Sequence, residues 1–146
     1  MNFADPIQIR FAGLSGELSM LAIAIVLGLF QLLIAARAGN SQRGLKWNVG
    51  PRDAAPGPVG KVAGRLERAF RNFLETFPFF AAAVLTASLA GRHNWATLWG
   101  AQLYVAARIV YLPLYAFGVP VLRTLVWLGA TIGILLIVAA LFWPNL

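Results

Sequence analysis

Four apolar stretches divide this chain, and each is about as long as the roughly 20 residues that a helix needs to cross a membrane. The first and last carry no charge, the second is interrupted only by Glu75, and the third only by Arg108. The stretches are Leu18–Ala36, Asn72–Ala90, Trp95–Phe117 and Thr124–Leu146. Short connections between the last three are typical of an up-and-down bundle. The pattern therefore predicts an all-α, integral membrane four-helix bundle, with residues 1–146 forming one domain.

Composition supports a membrane protein over a soluble one. Hydrophobic residues make up 60% of the chain and charged residues only 12%, against about 25% charged in soluble domains. The first stretch lacks the basic amino-terminal flank of a signal peptide, so we interpret it as a retained span. The absence of cysteine excludes disulfides and thiolate metal sites. With His93 as the single histidine, we predict no metal centre.

Local signals mark the ends of the predicted helices. Asn94 suits the N-cap of the third helix, Gly118 its C-cap, and Pro120 the first turn of the fourth. The third and fourth helices should therefore be antiparallel neighbours. Pro78 and Pro113 lie inside predicted helices, where each removes one backbone hydrogen bond. The resulting kinks either shape a pocket or bend the helices for packing.

Basic residues predict the orientation of the bundle. Eight of the twelve lie between Arg37 and Arg71, around the connection that follows the first helix. Because lysine and arginine favour the cytoplasmic side, this connection is predicted to be cytoplasmic. A bacterial inner membrane and the endoplasmic reticulum fit equally well. We attribute the net charge of +7 to topology and contact with lipid headgroups rather than to nucleic-acid binding.

The second helix carries charged and polar residues into its apolar stretch. Arg68, Arg71, Asn72 and Glu75 stand at i, i+3, i+4 and i+7, so they share one face. By the rise of about 1.5 Å per residue, Glu75 lies on the order of 10 Å beyond Arg68. An ionisable residue at such a depth is a functional hypothesis by default.

The third and fourth helices bring further polar groups to the same depth. Arg108 lies about 15 Å from the predicted turn at Gly118, again at 1.5 Å per residue. Tyr111 and Tyr115 follow it at i+3 and i+7 on the same face, and Arg123 opens the fourth helix. We therefore predict that polar side chains of three helices converge in the cytoplasmic half of the membrane.

The charge of this zone indicates its ligand. Its four arginines outnumber its single carboxylate, Glu75, and an excess of guanidinium in a low dielectric needs an anionic partner. A ligand with carboxylates and an ammonium, such as a small peptide, matches both charges. Headgroups of anionic lipids satisfy the arginines equally well.

Simpler interpretations stand beside the binding hypothesis. Arg68 and Arg71 fit interfacial arginines that extend to lipid headgroups. Glu75 and Arg108 fit a structural ion pair between the second and third helices. Tyrosines near a membrane interface are common without any ligand.

Two runs of this sequence resemble the MAPEG family, the membrane-associated proteins in eicosanoid and glutathione metabolism. They are RLERAFRNFLETFPFF in the second helix and RIVYLPLYAFGVPVLR across the third and fourth. The resemblance extends over nearly the whole chain in helix number and in the position of the first connection. It implies a homotrimer of four-helix subunits that binds glutathione between subunits near the cytosolic face, together with a lipophilic substrate from the bilayer.

The resemblance also assigns roles to individual residues. It implies that Arg123 is catalytic and stabilises the glutathione thiolate, and that Arg37 reaches the ligand from the end of the first helix. Together with the convergence described above, it gives a predicted binding set of Arg37, Arg68, Arg71, Asn72, Glu75, Arg108, Tyr111 and Tyr115.

One position departs from the family pattern. Trp127 follows Arg123 by four residues, where one branch of the family has a tyrosine. Two functions from different classes therefore remain. One is a glutathione-dependent transferase or peroxidase that acts on lipophilic substrates, and the other is a non-catalytic membrane protein that binds lipid or a partner protein.

Overall fold

The computed structural model describes residues 11, 13–44, 47, 49–51, 53 and 57–143. These residues form four long α-helices, which confirms the all-α prediction. Much of the predicted irregular connection after α1 lies outside the described residues, as do residues 144–146 at the end of the fourth apolar stretch. The helices are α1 (Gly16–Arg43), α2 (Lys61–Leu89), α3 (Trp95–Phe117) and α4 (Pro120–Phe142).

The predicted cap residues lie where the helices begin and end. The Asn94 side chain accepts from the Thr97 backbone N–H, and the Thr97 hydroxyl oxygen accepts from the Asn94 backbone N–H, which forms a capping box. Gly118 ends α3 in the left-handed conformation with φ at 78°, which glycine adopts without steric cost. Pro120 is the first residue of α4. The bounds of α3 are therefore those predicted from the sequence.

The four helices do not contribute equally to the packing. Both α2 and α3 contact each of the other helices, whereas α1 and α4 do not touch each other within the described residues. This arrangement places α2 and α3 at the centre, with α1 and α4 on opposite sides. It leaves two grooves along α2, one next to α1 and one next to α4.

Small residues let α3 and α4 approach closely. A Cβ atom built on Gly133 would lie 2.6 Å from the Gly100 carbonyl oxygen, so neither glycine has room for a side chain. In the adjacent core, the fully buried rings of Phe80 and Tyr104 stack with their centroids 3.9 Å apart. These contacts hold α2, α3 and α4 in fixed positions around the residues predicted to bind a ligand.

Three of the helices, α1, α2 and α4, are long and apolar enough to cross a membrane. Many of their large apolar side chains are exposed, which suits contact with lipid tails rather than water. The chain is therefore an integral membrane protein. The hydropathy of α3 is lower, because it carries Gln102, Arg108 and three tyrosines. Its 23 residues equal the length of α4, against which it packs, so we retain a fourth span as a prediction.

Contacts between helix ends define the two ends of the bundle. The Arg65 guanidinium, one turn into α2, donates to the Ala116 carbonyl oxygen near the end of α3 at 3.2 Å. Arg43 at the end of α1 pairs with Glu67 of α2 at 2.7 Å. The end of α1, the start of α2 and the α3–α4 turn therefore lie together, and we call this the basic end.

Candidate functional site

The polar residues of α2 differ in their burial. Arg68, Arg71 and Glu75 are exposed on the isolated chain, and Asn72 is half-buried against the bundle. The Asn72 amide nitrogen donates to a Glu75 carboxylate oxygen at 3.3 Å. Asn72 is thus the member of this row that connects α2 to the neighbouring helices.

Arg108 lies at the centre of the polar zone and is only 1% exposed. Its Nη1 donates to Asn72 Oδ1 at 2.8 Å and its Nη2 to the Thr76 hydroxyl oxygen at 2.5 Å. The rings of Tyr104 and Tyr111 flank the guanidinium, with centroids 5.4 and 5.3 Å away. Among the described residues Arg108 forms no ion pair with Glu75, so the structural ion pair considered above is not present.

Arg123 forms the second cationic element of the zone. Its guanidinium lies over the ring of Tyr115, 4.5 Å from the centroid, and the ring of Tyr111 lies 5.4 Å from that of Tyr115. Such stacking holds the guanidinium without neutralising its charge. The arginine thus keeps its positive charge available to a ligand.

A polar cavity of about 200 Å³ lies beside Arg123. We define this polar cavity by its lining residues Asn72, Tyr111, Tyr115, Arg123, Thr124 and Trp127. All three helices α2, α3 and α4 contribute to it. The predicted residues Asn72, Tyr111, Tyr115 and Arg123 therefore meet in one place.

An apolar groove of about 600 Å³ runs between α2 and α4. Glu75 and Thr76 line it at one end, and Leu141 and Phe142 line it at the other. Trp127 lines both this groove and the polar cavity. The indole is therefore the shared wall between a polar space and an apolar one.

Five of the nine predicted site residues do not line the polar cavity, and two of these, Glu75 and Arg108, contact it through Asn72. Arg71 lines a separate groove of about 450 Å³ between α1 and α2, next to the Arg43–Glu67 pair. Arg37 and Arg68 are exposed on the same two helices. The predicted binding set is thus divided between the polar cavity and the opposite, α1–α2 side of the subunit.

Two residues that were not predicted from the sequence, Thr76 and Tyr104, contact the predicted residues of the candidate site. Thr76 accepts from Arg108, and its hydroxyl oxygen lies 3.2 Å from the hydroxyl oxygen of Tyr104. Both residues follow predicted ones at helical spacing, since Thr76 is four residues after Asn72 and Tyr104 four before Arg108. That spacing was the signal that could have identified them.

A second polar cluster lies at the opposite end of the bundle. Glu17 is 4% exposed, and its carboxylate accepts from the Thr97 hydroxyl at 2.7 Å and lies 3.3 Å from His93 Nδ1. It connects the start of α1 to the α2–α3 turn. The described residues contain no group of three or more histidine, cysteine, aspartate or glutamate side chains that could hold a metal ion.

The sequence model of the MAPEG family matches residues 20–143 of this chain. The match covers all of α2, α3 and α4 and nearly all of α1. It therefore includes every predicted site residue. No curated protein matches the chain.

Proposed function

Because the chain belongs to the MAPEG family, we propose that it is a glutathione-dependent transferase or peroxidase acting on lipophilic compounds. The observation that carries this proposal is Arg123, stacked over Tyr115 at the edge of the polar cavity. A guanidinium next to a thiol favours the anionic form, and the thiolate is the attacking species. Arg123 is the residue that we expect to hold this thiolate.

The other groups at the cavity suit the remaining charges of glutathione. The Asn72 amide offers a donor and the Glu75 carboxylate an acceptor for the ammonium, and both lie on one face of α2. Arg108 keeps the surrounding potential positive, which favours the two carboxylates of the ligand. These donors and acceptors fit a zwitterionic thiol peptide.

The apolar groove supports a lipophilic second substrate. It extends from Trp127, at the polar cavity, to Phe142 near the opposite end of α4. At about 1.5 Å per residue these two positions are about 22 Å apart along the helix. A long apolar molecule in this groove would have one end at the boundary of the polar cavity, within reach of a thiolate held by Arg123.

The divided binding set supports a homotrimer in which each site is shared between two subunits. The polar cavity of about 200 Å³ is smaller than typical ligand pockets of about 300–1,000 Å³. Arg71 and Arg37 lie on the α1–α2 side of the subunit, away from Arg123. We propose that the α1–α2 side of one copy completes the cavity of the next, on the cytoplasmic side of the membrane.

The test combines glutathione titration with a conjugation assay on the purified protein in detergent. We expect heat of binding at millimolar glutathione and turnover of an apolar electrophile or hydroperoxide. The Arg123→Gln variant should bind glutathione and lose at least about tenfold in kcat, as expected when one stabilising charge is removed. Arg92→Gln, at the opposite end of the bundle, is the matched control and should retain full turnover.

A non-catalytic role is the second candidate, and Trp127 is the observation that favours it. Its indole occupies the wall of the polar cavity, where it limits the space next to Arg123. In that case the protein would bind lipid or a partner protein through the same surface. Absence of both heat and turnover in the wild type would overturn the first proposal and favour this one.

A further inference from the structure

We propose that Thr76 is a positioning residue that, through Arg108, sets the direction in which Asn72 presents its amide to the ligand. The inference rests on the proposed function, because it concerns glutathione at the polar cavity. Thr76 is half-buried on α2, one residue after Glu75, and it does not line the polar cavity itself. Its effect must therefore reach the ligand through other side chains.

The Thr76 hydroxyl has all of its hydrogen-bonding capacity in use. A hydroxyl has one donor and two acceptor sites. It accepts from Arg108 Nη2 and lies 3.3 Å from the Phe73 carbonyl oxygen, to which only the hydroxyl hydrogen can be donated. The remaining acceptor site faces the Tyr104 hydroxyl at 3.2 Å. Tyr104 is therefore the donor to Thr76, and the hydroxyl has a single orientation.

The orientation of Thr76 in turn limits that of Arg108. The Arg108 Nε atom is buried and has no partner among the described residues, so Asn72 and Thr76 hold the guanidinium. The stack of Tyr104 on Phe80 keeps the Tyr104 hydroxyl in place next to Thr76. Loss of the Thr76 hydroxyl removes one of the two hydrogen bonds, to Asn72 and to Thr76, that fix the guanidinium.

The hydrogen bond from Arg108 fixes the orientation of the Asn72 side-chain amide. A guanidinium has only donors, so the amide atom that it meets must be the oxygen. The Asn72 nitrogen is then directed away from Arg108 and towards Glu75, to which it donates at 3.3 Å. This contact holds one Glu75 oxygen, and the carboxylate can receive the ammonium of a ligand in a fixed position. The chain of contacts runs from Tyr104 through Thr76, Arg108 and Asn72 to Glu75.

The experiment measures how well the protein recognises the ligand's ammonium. Glutathione and an analogue that lacks the amino group are titrated into wild type, Thr76→Val, Thr76→Ser and Tyr104→Phe. Valine keeps the shape of threonine without its hydroxyl, and serine keeps the hydroxyl. Thr86→Val makes the same change at an exposed position on the same helix and serves as the control.

We expect wild type to prefer glutathione over the analogue by about tenfold, the range of a hydrogen bond to a charged group. Thr76→Val should bind glutathione more weakly and lose most of this preference, whereas Thr76→Ser and Thr86→Val should keep it. Tyr104→Phe removes only the hydroxyl that donates to Thr76 and should lose part of the preference. A purely structural role for Thr76 would lower the melting temperature and leave the preference unchanged.

The outcomes distinguish failure of the inference from failure of the proposed function. If wild type binds no glutathione, both are overturned. If wild type binds it and Thr76→Val keeps the full preference, the inference is overturned while the proposed function stands. Should Thr76→Val fail to fold, an unchanged preference in Tyr104→Phe overturns the inference on its own.

Discussion

Arg108 is the most buried charged side chain among the described residues, and no carboxylate neutralises it. An amide oxygen, a hydroxyl oxygen and two aromatic faces surround it instead. These groups hold the guanidinium through dipoles and ring faces, so the net positive charge persists inside the bundle. An anionic ligand gains from this potential, whereas a neutral one does not.

The first prediction concerns the fork geometry of Arg108. In Arg108→Lys the charge is kept, but a single ammonium cannot reach Asn72 and Thr76 as a guanidinium does. Loss of one hydrogen bond to a charged group should lower the free energy of unfolding by about 1.5–3 kcal/mol. Reversible unfolding in micelles measures this change. Arg68→Lys, at an exposed position, should change it by less than about 0.5 kcal/mol, and equal effects at both positions would contradict the prediction.

The second prediction concerns the ring beneath Arg123. Tyr115→Phe keeps an aromatic face under the guanidinium, while Tyr115→Leu removes it. A cation–π contact of about 0.5–2 kcal/mol corresponds to a loss of about 2- to 30-fold in kcat/KM for the leucine variant. The phenylalanine variant should remain within about twofold of wild type in the same conjugation assay. If phenylalanine costs as much as leucine, the hydroxyl rather than the ring is the important group.

The helices were more predictable from sequence than the contacts between them. The ends of α3 follow from Asn94 and Gly118, because capping is a local property of the chain. The end of α1 was less predictable, since the helix continues to Arg43, about two turns beyond the apolar stretch. Hydropathy locates the segment within the lipid and gives no information on how far a helix extends past it. The pairing of Arg43 with Glu67 depends on the packing of two helices, which no local pattern encodes.

The third prediction tests the closest helix contact. Gly133→Ala places a Cβ atom 2.6 Å from the Gly100 carbonyl oxygen and 2.9 Å from the Tyr104 nitrogen, so α3 and α4 must separate. Overpacking of this kind costs about 1–3 kcal/mol of unfolding free energy. Gly129→Ala lies one turn earlier with nothing within 4 Å, and it should stabilise α4 by up to about 1 kcal/mol. Melting in detergent should therefore shift in opposite directions, and a shared direction would contradict the close contact.

At the scale of the whole molecule, only part of the predicted polar zone comes together within one chain. Asn72, Tyr111, Tyr115 and Arg123 do line one cavity, and their similar depth could be predicted by counting residues along each helix. The depth of a residue along its helix does not determine which neighbouring helix its side chain faces. Arg71 and Asn72 are adjacent in sequence and nearly equal in depth, yet Arg71 lines the α1–α2 groove and Asn72 lines the polar cavity on the other side of α2.

This division leads to the last prediction, which concerns subunits that share a site. Arg37→Gln and Arg123→Gln should each abolish most conjugation when present in every subunit. In co-expressed mixed oligomers, a subunit with intact Arg123 can meet a neighbour with intact Arg37 and form an unaltered site. With equal random mixing about a quarter of the interfaces are of this kind, so activity should recover to about a quarter of wild type. If both arginines acted within one subunit, mixing would restore nothing, because every chain would still lack one of them.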